Sequence, residues 1–155
     1  MKIPLLALII QGIPETIAVV TLASVLARIG LEWKKIVLFG AFLAFTAYVL
    51  RLFPITFGTH TIILTGLMFI FLIHYCQAPV LMALKACLIS YLALIIVEYV
   101  CMTLLASLFG VTFEMVLENT TTRILITLPQ VIIIFLLSFV LLKIRVGKEI
   151  KNESF

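Results

Sequence analysis

From Val80 to Phe109 the chain runs thirty residues with two charges, Lys85 and Glu98, before Gly110. At about 1.5 Å per residue, a helix of that length exceeds the ~30 Å hydrocarbon core of a bilayer. Four more apolar stretches accompany it, at about residues 3–29, 35–53, 60–75 and 123–142. A chain of 155 residues that is 65% hydrophobic and 12% charged departs far from the soluble norm of about 45–50% apolar and about 25% charged. Lipid is therefore the expected solvent. In lipid every backbone N–H and C=O must be satisfied internally, which leaves helices or a closed barrel. The runs are continuous, not ten-residue segments of alternating polarity, and that selects helices. The expectation is an all-α polytopic bundle with five transmembrane helices in the cell membrane. Residues 1–145 form one bundle with spans at 3–29, 35–53, 60–75, 80–109 and 123–142, and 146–155 form a short tail. Pro4, Gln11, Pro14 and Glu15 interrupt the first apolar run, and no small-residue cleavage site follows, so it reads as a span and not as a signal peptide.

Charge sets the expected orientation. The turn Arg28-Ile-Gly-Leu-Glu-Trp-Lys-Lys35 carries three basic residues, and Trp33 is placed as an interfacial anchor. Gly30 is expected to end the first helix. The segment after the last span carries Lys143, Arg145, Lys148 and Lys151. Four spans separate these two basic regions, so both fall on one side, and the positive-inside rule makes that side cytoplasmic. The N-terminus, the loop at 54–60 and the segment 111–122 then face outward. In that last segment Phe113, Val116 and Leu117 alternate with Glu114, Glu118 and Asn119, as in a helix lying in the interface. Asn119-Thr-Thr121 reads as a polar turn capping the next helix. The net charge of +4 is concentrated at span ends, which marks orientation and not a nucleic-acid surface.

A charge inside a span costs about 2.5–3.5 kcal/mol on insertion scales and usually faces the bundle interior. Glu15, Arg51, His60 and Glu98 all fall toward the outer half under this topology. Two readings follow. In one, these four side chains build a polar pocket for a small ligand, a peptide or a proton, with Gln11 or Gln130 nearby. In the other, Glu15 pairs with Arg51 and Glu98 is neutral and hydrogen-bonded, which removes most of the cost without any function. Lys85 is expected to snorkel to the cytoplasmic boundary. Pro14 is expected to kink the first span. Ala23-x-x-x-Ala27 is a small-residue ridge for close helix packing, or ordinary alanine usage in a membrane helix. Cys76, Cys87 and Cys101 show no metal-ligand spacing and read as buried free thiols. No Ser/His/Asp order, phosphate loop or HExxH motif is present, so neither enzyme activity nor a cofactor or metal is expected.

The order of features between residues 11 and 75 resembles a known family. A glutamate-bearing first helix, the Gly-Leu-x-Trp-Lys-Lys turn, a second helix closing in Arg51-Leu-Phe-Pro54, and Phe57-Gly-Thr-His60 opening a third are similar to the N-terminal membrane region of some Firmicute GHKL-type sensor histidine kinases, of the accessory-gene-regulator and sporulation type. The resemblance implies a sensor or signalling module that works through a protein partner, such as a kinase or regulator. Here no H-box, N-box or glycine-rich ATP lid follows the last span before Phe155, so autophosphorylation by this chain alone is not expected. The alternative is a small transporter subunit similar to the S components of energy-coupling-factor transporters, docking on a transporter module through the Ala23/Ala27 ridge; those components usually have six spans and are longer. A structural assembly partner or a homo-oligomer is the third reading.

Overall fold

The computed structural model describes residues 8–52, 59–110 and 120–153. The loop at 53–58 and the segment 111–119, which hold most of the predicted outer loop and interfacial helix, lie outside the described residues. A π-turn, Leu8–Gly12, leads into α1 (Ile13–Leu26). It is followed by α2 (Trp33–Leu52), α3 (Thr59–His74), α4 (Val80–Phe109) and α5 (Thr120–Glu153). The chain is all-α, with no strand among the described residues. Four stretches, Ile9–Leu26, Trp33–Leu50, Val80–Leu104 and Leu128–Gly147, are long and apolar enough to cross a membrane. The third expected span, α3, is apolar but has only 16 residues, about 24 Å of helix.

Helix α1 is the axis of the bundle. Eight consecutive residues, Ala18 to Val25, are buried, so the helix is enclosed on every side. It packs against α2, α4 and α5, while α3 leans on α2 and α4. The flanking helices each bury one stripe at helical spacing. These stripes are Ile36, Gly40, Leu43 and Ala44 on α2; Leu64, Met68, Phe71 and Leu72 on α3; Ala83, Ala86, Cys87 and Ser90 on α4; and Gln130, Ile134 and Ser138 on α5. The predicted Ala23/Ala27 ridge is buried in this core.

The closest approach is at Gly40. A Cβ built there would sit 2.6 Å from Ile17 Cγ1 and 3.0 Å from Ile17 Cα. Only a residue without a Cβ lets the α2 backbone press against α1 in this way. Thr16 secures the same contact, with its hydroxyl 2.7 Å from the Gly40 carbonyl oxygen. Phe39 of α2 stacks on Phe71 of α3, with ring centroids 3.8 Å apart and planes 4° from parallel.

The helix ends show which residues take up the backbone's turns. Gly110 closes α4 in the left-handed region, at φ 63°, as its position in the sequence predicts. At the end of α1 the left-handed residue is Arg28 (φ 59°), and Gly30 keeps a negative φ. The amide of Ile29 reaches back to the Ser24 carbonyl (3.0 Å) and that of Arg28 to Val25 (3.1 Å), the paired bonds of a Schellman turn. Helix α1 therefore stops before Gly30 is reached. Pro14 cannot donate a backbone hydrogen bond and its ring crowds the carbonyl four residues back. The chain answers with the wider π-turn just before it. At the other end of the chain, α5 stays helical past Leu142 to Glu153, so the predicted tail at 146–155 is largely a continuation of the last helix.

Candidate functional site

Two polar regions stand out, one inside the bundle and one at its basic end. The interior region centres on Glu15, one residue past Pro14 and half-buried. It lies eleven residues before Leu26, roughly 16 Å from that end of α1. Tyr91 lies eleven residues after Val80, also roughly 16 Å from the same end of the bundle. Counting along α1 and α4 therefore puts Glu15 and Tyr91 at one depth in the bundle. Half-buried His60 stands fourteen residues before His74 on α3, roughly 21 Å from that end. Glu15 and His60 each take part in a contact within the protein.

The other candidates are placed differently. Glu98 is on the exposed face of α4, roughly 27 Å from Val80. Arg51 belongs to the last turn of α2, but its side chain lies outside the described residues, and with it the Glu15–Arg51 pairing. Gln11 is half-buried within the π-turn, and Gln130 is buried beside Pro129 on α5.

Six hydroxyl groups of the helices share one pattern. Thr21, Ser24, Thr46, Thr65, Thr103 and Ser138 each donate to the carbonyl four residues back, at 2.7–2.9 Å. This local bond hides the hydroxyl from lipid. Thr16 has three carbonyls within 3.0 Å, those of Gly12, Ile13 and Gly40, and one proton to give. Ser90 differs. Its hydroxyl and the Gln130 amide nitrogen are buried without a hydrogen-bond partner among the described residues. They sit on α4 and α5, which pack against each other and against α1. Sequence reasoning passed over Thr16, Ser90 and Tyr91. The available signal was a hydrogen-bonding side chain at a position where an apolar one would be cheaper.

At the basic end, three chain segments meet. The Arg145 side chain donates from Nη2 to the Arg28 carbonyl, at 3.2 Å. This contact joins residues 117 apart in sequence and puts the turn after α1 on the same side of the bundle as the C-terminal part of α5. The Trp33 ring stacks on Phe139, with centroids 6.2 Å apart. Lys35 pairs with Glu32 at 2.8 Å. The turn after α3 adjoins them, because Cys76 feels the charges of Lys35 and Glu32. Burial pushes the Cys76 thiol above its ordinary range, and Lys35 pulls it partly back. Gln77, in the left-handed region, donates from its side-chain amide to the His74 carbonyl at 2.9 Å. Cys76, Cys87 and Cys101 are free thiols. Among the described residues no group of three His, Cys, Asp or Glu side chains is placed to hold a metal.

Set against known proteins, the chain matches no family model, no curated protein and no solved structure.

Proposed function

We propose that this chain is a multi-pass cell-membrane protein that crosses the bilayer five times, with its N-terminus outside, and acts as a sensor-type signalling module through a protein partner. The observation that carries the reading is α5. It has 34 residues, roughly 51 Å of helix, against a hydrocarbon core of about 30 Å. It packs along α1 and α4 within the bundle and continues unbroken past the basic end. A continuous helix of this kind couples a shift inside the membrane to a displacement outside it. The polar layer around Glu15 lies where α1, the helix that touches α2, α4 and α5, would feel a bound signal. The basic end faces the cytoplasm in this reading, and the helical extension at 143–153 is where the partner docks.

The test is a distance. Spin labels at Gly30 and Lys151 report how the end of α5 moves relative to the bundle in lipid nanodiscs. A signalling module gives two distance populations, and Glu15→Gln shifts weight between them. A single distance unchanged by Glu15→Gln sinks the reading. Tight binding of a vitamin-like molecule together with an ATPase module would favour a transporter subunit instead.

A further inference from the structure

The basic end carries more positive charge than its own acids balance. Between residues 26 and 35, Arg28, Lys34 and Lys35 face one carboxylate, Glu32, and that carboxylate is taken by Lys35. Lys34, Arg28 and Lys143 are exposed and form no ion pair among the described residues. Two of these cations stand beside an aromatic contact. Lys34 follows Trp33 in the chain, and Lys143 lies one helical turn beyond Phe139 on the same face of α5. The Trp33 and Phe139 rings are stacked, so this junction has one lysine next to each of its rings, a chain neighbour on α2 and one helical turn away on α5. Further into the bundle the same two faces turn apolar. Trp33 and Phe139 are 44% and 45% exposed, Val37 46% and Leu136 59%.

We propose that this junction is a binding site for an anionic phospholipid of the surrounding bilayer. The headgroup phosphate sits between Lys34 and Lys143, and the acyl chains descend past the aromatic pair along Val37 and Leu136. Cations above, an interfacial tryptophan at the boundary and aliphatic surface below follow the order of groups in such a lipid. A free phosphate would use only the first of the three. The site rests on the membrane-spanning reading and stands whether or not the protein signals.

The test is lipid retention by the full-length protein in native mass spectrometry, with phosphatidylglycerol and phosphatidylcholine offered at equal concentration. Preferential retention of phosphatidylglycerol is expected. The double variant Lys34→Gln/Lys143→Gln lowers its affinity roughly 25-fold, about fivefold for each lysine. Lys34→Arg/Lys143→Arg retains binding, which separates loss of charge from loss of fold. Lys35→Gln, whose lysine is engaged by Glu32, changes it little. Glycerol 3-phosphate at the lipid's concentration leaves the lipid bound. Equal retention of the two lipids, unchanged affinity in the glutamine variant, loss of binding in the arginine variant, or displacement by glycerol 3-phosphate each overturns the proposal.

Discussion

Helices α1 and α4 look alike as strings of letters and live in opposite surroundings. Both are apolar along their length without a polar face. Yet α1 is enclosed on every side from Ala18 to Val25, while α4 shows Leu81, Leu84, Leu88, Leu92, Ile95, Ile96, Tyr99 and Leu104 to its surroundings. Hydropathy cannot tell them apart, because lipid tails are as apolar as leucine and give no reward for hiding it. What differs is size and polarity. The enclosed stretch of α1 includes Ala18, Thr21, Ala23 and Ser24. Helix α4 turns Ala83, Ala86, Cys87 and Ser90 inward and its leucines and isoleucines outward. On α4 the small and hydroxyl-bearing residues mark the interior, and the large aliphatic ones mark the outer face.

That contrast breaks most decisively at Gly40. Gly40→Val puts branched carbon where even a Cβ meets Ile17 at 2.6 Å. It should destabilise the protein by at least about 3 kcal/mol in reversible unfolding from detergent; a loss under 1 kcal/mol would mean α1 and α2 are not in backbone contact. Next comes a matched pair. Ala23→Leu, at a position with no exposure, should cost about 1–3 kcal/mol. Leu92→Ala on the exposed face of α4 should stay within about 0.5 kcal/mol. Equal effects would erase the difference between the two helices. A smaller effect of opposite sign is expected at Ser90, whose hydroxyl is buried without a partner among the described residues. Ser90→Ala should raise stability by about 1 kcal/mol, and a loss of that size would mean the hydroxyl is engaged. The smallest effect belongs to the turn that leads into α4. With its thiol pushed up by burial, Cys76 holds less thiolate at neutral pH than an ordinary cysteine. Maleimide labelling there should lag a free-thiol standard at pH 7 and gain on it as the pH climbs past 9.

Much of this was legible in the sequence, and what was not has a common cause. The helical class, the long apolar runs, Gly110 as a terminator and the small ridge at Ala23 and Ala27 follow from composition and spacing alone. Depth is also legible, since it is a count of residues along a helix. Rotation is not. A helix apolar all round gives no sign of which way it turns, so counting residues puts Glu98 in the half of α4 farther from Val80 but cannot say that it lies on the exposed face. Gly40 is a single glycine in an apolar run, and its role depends on a partner helix that no local pattern names. Gly30 looks like the natural end of α1. Helix α1 ends at Leu26 because the Schellman bonds close around left-handed Arg28 first, and the Arg28 carbonyl is held by Arg145.

The local hydroxyl bonds of α1 bear on how the protein is made. Helix α1 is synthesised well before α5, one of its main packing partners. In the interval Thr21 and Ser24 must wait in lipid without the neighbours that finally enclose them. Because each already donates to a carbonyl of its own helix, at 2.7 and 2.8 Å, neither needs those neighbours to be satisfied. The axis of the bundle can be inserted alone and held, intact and uncovered, until α5 arrives.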